Sequence, residues 1–412
     1  MTLHSKTVLV VGGGAAGMMA ALAAAERGAR VTVLERMDKV GKKILVTGNG
    51  RCNITNTRQD LFRYHGAPPE FTESVLRSFP LAKTMEFFKG IGLECVEEDE
   101  GRVYPSCGQA SAVLSVLRFE MERRNVRVHC GAEVHRLSLD GHGFLAETKD
   151  GRTFKADRVI VAAGGKASPQ CGSNGSGFDL VKSLGHRLCS TFPVLVQLNL
   201  HAPFLEEVDG VRFNGAAAVI SQGQVLREET GEIQLTDYGA SGIPILDLSR
   251  VAGECLLAKR DAFLELRFLS DRSPQTLLDE VQNRLSSRSD ETIERALLGL
   301  VHSNLLPALI EAAGYKNKHV PGRLSTAENA RNLANLLTGW KLPITGTQSW
   351  HRAHVTAGGV DSAEINPATL ESKIVPGLFL AGEIVDVDGD CGGYNLQWAW
   401  SSGFVAGSAA SH

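Results

Sequence analysis

Lys6-Thr-Val-Leu-Val-Val11 runs directly into Gly12-Gly-Gly-Ala-Ala-Gly17, and this stretch decides the fold. A short β-branched run suits a strand buried on both faces of a parallel sheet. The alanine-rich segment from Met18 to Arg27 then reads as a helix, and Gly28 ends it. A second strand follows, Arg30-Val-Thr-Val-Leu34, with Glu35 at its end. Strand, glycine turn, helix, strand and acidic residue, in that order, form the context that a dinucleotide fingerprint requires. Gly12 permits the tight turn, Gly14 lets a pyrophosphate approach the backbone, and Gly17 lets helix and sheet pack closely. Ala15 and Ala16 open the helix whose unpaired N–H groups face the phosphates. Glu35 stands 18 residues beyond Gly17. There its carboxylate accepts hydrogen bonds from an adenosine ribose and disfavours the 2′-phosphate of NADP.

FAD and NAD share this fingerprint, so the next segment discriminates between them. After Arg36 to Lys43, a segment whose Arg36 and Lys43 are candidate cofactor contacts, comes a polar, glycine-rich loop, Thr47 to Asn56, where an NAD-only domain continues into another strand–helix unit. A loop carrying Gly48, Gly50, Arg51, Cys52 and Asn53 wraps a long cofactor, which points to FAD. Further on, Ala156-Asp-Arg-Val-Ile-Val-Ala-Ala-Gly-Gly165 reads as a buried strand returning to the sheet, with Ala163 and Gly164 at its ligand-facing end. Near the C-terminus, Pro376-Gly-Leu-Phe-Leu-Ala-Gly-Glu383 repeats that pattern and ends in Gly382 and Glu383. A second glycine-rich loop, Asp386 to Gln397, precedes a helix expected over Gln397 to Ala410. Its N-terminal N–H groups stabilise negative charge on a reduced flavin.

Composition narrows the function classes. Glycine makes up 44 of 412 residues, about 11% against a usual level of roughly 7%. There is no three-residue period and there are only 14 prolines, which excludes collagen and a disordered Pro/Gly chain. The surplus glycines gather in the clusters above. With 43 basic and 46 acidic residues the formal charge is −3, which disfavours nucleic acid as a partner. The eight cysteines are irregularly spaced with no CxxC pair, so neither a zinc site nor a redox dithiol is indicated, and no metal is expected. No apolar run of about 18 residues suggests a membrane span, and the N-terminus reaches a strand almost at once. The expectation is a cytoplasmic protein with a small-molecule substrate.

Between the two cofactor segments the texture changes. Leu195 to Leu200, Ala216 to Ile220, Glu232 to Leu235 and Phe263 to Phe268 alternate as antiparallel strands do. Residues 274–312 and 326–337 read as helices. The expected fold is α/β: a Rossmann-like, glutathione-reductase-like FAD-binding domain, interrupted by an inserted β-barrel-like domain and a helical domain. The boundaries are 1–190 and 356–412 for the FAD-binding domain, 191–272 and 338–355 for the β domain, and 273–337 for the helices.

Several long motifs occur in order: GGGAAG at 12–17, KKILVTGNGRCNITN at 42–56, GRVYPSCGQA at 101–110, AAGGKASPQCGSNGSGFDLVKSLGH at 162–186, TDYGASGIPILDLS at 236–249, TAGGV at 356–360 and GEIVDVDGDCGGYNLQWAWSSG at 382–403. Over essentially its whole length the chain resembles the HI0933-like flavoproteins, also known as the BaiN or aminoacetone-oxidase-like family. The resemblance implies non-covalent FAD. It places the Val134 backbone at the adenine and Arg51, Cys52 and Asn53 towards the flavin. Gly382, Glu383 and Asp386 then line the ribityl chain, with Gly393, Tyr394, Asn395 and Leu396 under the isoalloxazine. Two departures fall where a substrate is expected: Asp237 replaces a frequent histidine, and Cys391 a bulky apolar residue. The implied activities are an aminoacetone oxidase in one branch and a reductase of unsaturated oxo-steroid bile acids in another.

For proton handling the candidates are Tyr394, His354 and Cys52, with His351, Asp237, Tyr238 and Cys391 behind them. No second strand–GxGxxG–helix unit is present, so a separate NAD(P)H domain is not expected; NAD(P)H stays open as a transient electron donor. The expected function is FAD-dependent oxidation or reduction of a small or medium organic molecule by hydride transfer through flavin N5. The alternatives are a flavoprotein of RNA modification and a non-catalytic FAD-bound sensor.

Overall fold

The computed structural model describes residues 5–141 and 143–412. The chain forms two compact units: one runs to Phe192 and resumes from His354 to His412, and the other is Pro193–Ala353.

The first unit is built on five parallel strands, in the spatial order Leu378–Leu380, Arg158–Val161, Thr7–Val11, Arg30–Leu34, Arg127–His129. Numbered by chain order and read from the other edge, this is 3-2-1-4-5, the doubly wound arrangement. We call Thr7–Val11 β1 and Arg30–Leu34 β2, with helix α1 (Ala15–Glu26) between them. Val8, Leu9 and Val10 of β1 are buried, as are Val31, Val33 and Leu34 of β2, which is why both strands are β-branched runs rather than alternating ones. The topological switch lies between β1 and Arg158–Val161, where ligands reach such sheets. Gly12 leaves β1 at that point with φ +104, and a Cβ on it would stand 2.5 Å from the Ala162 carbonyl oxygen.

The C-terminal helix, Tyr394–Ala410, packs against α1. A Cβ on Gly403 would lie 2.4 Å from the Ala16 carbonyl oxygen, and one on Gly407 would lie 2.1 Å from that of Ala20. Successive glycines meet successive turns of α1 in the same direction, so the two helices run parallel. The helix begins at Tyr394 rather than Gln397 because Gly393, at φ +103, supplies the N-cap without any side chain. The helix Ala110–Arg123 likewise has Gln109 at its N-cap but no side-chain cap bond.

In the second unit six antiparallel strands are hydrogen-bonded in the order Leu198–Leu200, Gly239–Ser241, Gln224–Thr236, Arg212–Ser221, Phe263–Arg267, Trp340–Thr347, and the first strand also pairs with the last. Alternation decides which face is covered: Trp340, Leu342 and Ile344 are buried while Lys341, Pro343 and Thr345 are exposed. Helices Pro274–Ser287, Leu306–Ala312 and Ala327–Thr338 share that core through Leu277, Val281, Leu309 and Leu333. Ser273 and Thr326 cap the first and last of these. Among the described residues no helix is long and apolar enough to cross a membrane.

Candidate functional site

The fingerprint residues meet at the C-terminal ends of the parallel strands. Gly13 N–H donates to Glu35 Oε2 and Met37 N–H to Glu35 Oε1, both at 2.8 Å. Each carboxylate oxygen therefore keeps lone-pair capacity for another donor. Burial lifts the Glu35 carboxyl above its ordinary pKa, against the pull of these backbone bonds. Backbone bonds Glu35 N–H to His129 O and Ala132 N–H to Glu35 O bring the following segment alongside, with Val134 opening the strand Val134–Asp140. Arg36 reaches the Gly172 carbonyl at 3.2 Å and Glu133 at 3.8 Å. Ala163 lies against Gly12 and Gly177, and Gly164 against Ser173.

Two helix N-termini stand at this edge. Neither Gly14, the N-cap of α1, nor Gly393 is backed by a side-chain cap, and neither first turn contains an acidic residue. Their initial N–H groups lack intrahelical acceptors and carry the positive end of the helix dipole. Because Gly403 is level with Ala16, the C-terminal helix starts eight residues, about 12 Å, beyond the start of α1 in the same direction. One helix end thus serves a near anionic group and the other a more distant one.

A second cluster joins residues far apart in the chain. Lys43 Nζ lies 2.7 Å from Glu383 Oε2, and Glu383 Oε1 accepts the Thr356 N–H at 2.9 Å. Gly382 packs on Ala16, and its N–H donates to Ser402 Oγ at 2.9 Å. His354, just before the strand Val355–Ala357, is exposed, and partial desolvation, then the Lys43 ammonium, hold its pKa below the ordinary imidazole value.

The other candidates fall into place as follows. Cys52 is fully buried at φ +64, and burial pushes its thiol up to about 12. The Tyr394 ring is buried, its hydroxyl donates to the Arg58 carbonyl at 3.0 Å, and burial raises its pKa. Neither group is poised to exchange a proton in this arrangement. Arg51 points its guanidinium at Glu98 and stacks 4.2 Å over the Tyr104 ring, so that group does not join the ring of cofactor candidates; Gly50 beside it is exposed. Asp386 accepts the Ala67 N–H through its carbonyl, and burial, then the Asp386 carboxylate, raises the pKa of the Cys189 thiol. Asn395 brackets Gly389 with both ends of its amide, and half-buried Leu396 packs on the core. Thr356 went unnoticed as a network residue in the sequence; its Oγ1 accepts the Lys166 and Ala167 N–H groups at 2.8 and 3.0 Å.

The residues fit FAD. A Cβ at Gly14 would meet no protein atom within 4 Å, leaving the path open where a pyrophosphate meets the α1 N–H groups. Asn53 is 9% exposed, and among the described residues its Oδ1 has no hydrogen-bond partner while lying 2.9 Å from the Cβ position of Gly393. A buried acceptor beside a row of helix N–H donors complements the alternating carbonyl and N–H edge of an isoalloxazine.

Fold and site together define a flavin-dependent oxidoreductase with a Rossmann-type FAD domain. The chain belongs to the HI0933-like family, matching the HI0933-like protein Rossmann domain over residues 6–409. It is 40% identical over 404 residues, 98% of each chain, to a 3-dehydro-bile acid delta(4,6)-reductase of Clostridium scindens. It is 30% identical over 96% of each chain to a ribosomal RNA dihydrouridine synthase of Escherichia coli. Among solved structures, a 3-ketosteroid delta1-dehydrogenase from Sterolibacterium denitrificans shares the fold, with a TM-score of 0.53 and 15% identity over 99% of this chain and all of the other.

Proposed function

We propose that this protein reduces a carbon–carbon double bond conjugated to a carbonyl, on an alicyclic substrate of steroid-like size. The observation that carries the reading is the 40% identity, end to end, with a bile acid reductase. A 3-oxo steroid unsaturated at Δ4,6 and the uracil ring of uridine also share one reactive element, a C=C conjugated with a C=O. The bile acid reductase and the ribosomal RNA dihydrouridine synthase are thus consistent with one chemistry on different carriers.

FAD, when bound and reduced, supplies a hydride from N5 to the β-carbon of such an enone. Gly12, Gly14, Ala15, Ala16 and Gly17 hold its pyrophosphate, Glu35, Arg36 and Val134 its adenosine, and Gly382, Glu383 and Asp386 its ribityl chain. Asn53, Gly393, Tyr394, Asn395 and Leu396 hold the ring, and the C-terminal helix dipole favours the anionic reduced state. His354 is the residue for the carbonyl oxygen. As a neutral imidazole it donates an N–H to the oxygen that gains charge as the β-carbon accepts hydride, and a proton from solvent completes the α-carbon. NAD(P)H is the proposed electron donor.

The test is anaerobic absorbance spectroscopy of the FAD-loaded protein. NADH or NADPH should bleach the flavin, and a 3-oxo-Δ4 or 3-oxo-Δ4,6 steroid should restore its colour. Bleaching by aminoacetone alone, with no reoxidation by an enone, would replace the reductase with the oxidase branch. Reoxidation only by a uridine-containing ribosomal RNA fragment would move the substrate to RNA.

A further inference from the structure

The guanidinium of Arg51 lies outside the ring of cofactor candidates but close to its rim. It stacks 4.2 Å over the Tyr104 ring. A Cβ on Gly48 would stand 3.2 Å from that same ring and 2.9 Å from the Asn53 backbone nitrogen. Asn53 Oδ1 in turn reaches within 2.9 Å of the Cβ position of Gly393, where the C-terminal helix starts. Glu98 holds the guanidinium with both carboxylate oxygens: Arg51 Nη1 donates to Oε2 at 3.0 Å and Nη2 donates to Oε1. That carboxylate sits at the tip of the hairpin formed by Cys95–Glu97 and Arg102–Pro105. The two side chains are 42% and 39% exposed, so the pair is screened and weak. Stacking on Tyr104 keeps the guanidinium in place when the carboxylate leaves.

We propose that Arg51 binds a carboxylate on the substrate, and that Glu98 occupies the guanidinium as an internal stand-in until such a ligand displaces it. The inference rests on the enone reading for the body of the ligand; the acid group is read from Arg51 itself. A guanidinium that already presents two N–H groups to one carboxylate is set for another carboxylate, because its planar fork matches that group. The loop carrying Arg51 also leaves Leu45 and Val46 exposed, which offers apolar surface to the rest of an amphipathic acid. The hairpin tip is otherwise acidic. Glu97 accepts the Thr57 hydroxyl at 2.9 Å, Glu100 pairs with Arg102, and Asp99 lies between Glu98 and Glu100. These carboxylates repel a bare anion, so the apolar body must supply most of the affinity and Arg51 the preference for an acid.

The test is calorimetric titration of the FAD-loaded protein with a 3-oxo-Δ4 steroid that carries a side-chain carboxylate, and with its methyl ester. The readout is the ratio of the two affinities. The wild type should bind the acid more tightly than the ester, and added salt should narrow the gap. Arg51→Met should lower the acid-over-ester ratio about fivefold, the size of an exposed ion pair. Glu98→Gln removes the competing carboxylate and should raise the ratio by a similar factor. Arg51→Lys keeps the charge without the fork and should fall between wild type and Arg51→Met. A plain clamp between loop and hairpin predicts the same direction for Arg51→Met and Glu98→Gln, or an unmoved ratio, and either result overturns the proposal. So does a wild type that fails to bind the acid or does not prefer it. If Arg51→Met disturbs the loop, Glu98→Gln still decides, since a ratio that does not rise is itself a refutation. The titration needs no turnover. Ratios as expected without enone reduction would reject the reductase reading alone, and reduction of the ester with no acid preference would reject the Arg51 proposal alone.

Discussion

Three glycines of one motif do different jobs, and only one of them isolates binding from folding. A Cβ on Gly12 or Gly17 runs into backbone, at 2.5 Å from Ala162 O and 1.9 Å from Gly12 O respectively. Substitution at either deforms the turn itself. Gly14 has φ −80 and open space around its Cβ position. Gly14→Val should therefore fold with an unchanged melting temperature and lose bound FAD, read as loss of the yellow flavin absorbance after reconstitution; normal flavin content would refute the pyrophosphate assignment. The motif was legible because its parts are adjacent in sequence. The Lys43–Glu383 pair was not: each residue was singled out as a cofactor contact, but nothing in a sequence announces a partner 340 positions away. Arg51 shows the converse, since Glu98 and Tyr104 capture its guanidinium from a hairpin whose approach no local pattern reveals.

At the scale of elements, the site depends on how α1 and the C-terminal helix are set side by side. Their spacing comes from Gly403 and Gly407, which admit the carbonyls of Ala16 and Ala20. The same small-residue face explains why α1 is alanine-rich, with Ala16, Ala20, Ala21, Ala23 and Ala24 all buried. Strand and helix types followed from periodicity, but this contact did not, because a four-residue glycine step says nothing about which helix will meet it. Gly407→Ala forces a methyl group to within 2.1 Å of a backbone oxygen unless the helices part. It should cost about 1–3 kcal/mol of stability, as overpacking does. Flavin affinity should fall as well, because parting the helices moves their N-termini relative to one another. Thermal melts and flavin titration check both effects; an unaltered melting temperature would show that the spacing is not set there.

For the molecule as a whole, charge decides between the two carriers of a conjugated double bond. Residues 193–353 contain sixteen basic and nineteen acidic residues, a net of −3, which leaves the remainder of the chain neutral. Ten of those sixteen are already ion-paired within the same unit: Arg212, Arg227, Arg250, Arg267, Arg272, Arg284, Arg295, Lys318, Arg323 and Lys341. A protein that grips RNA gains affinity by releasing phosphate counterions, and each cation held by a carboxylate must first give up that partner. Surface pairs are individually weak, so the obstacle is their number and the acidic groups that remain after exchange. The protein should therefore bind a ribosomal RNA fragment weakly in fluorescence anisotropy at physiological salt, while a 3-oxo-Δ4,6 steroid perturbs the flavin spectrum at micromolar concentration. Tight RNA binding that weakens steeply between 50 and 200 mM salt, at a slope of roughly −0.7 per phosphate contact, would reverse that choice. It would also mean that the ion pairs open on contact, making RNA the carrier.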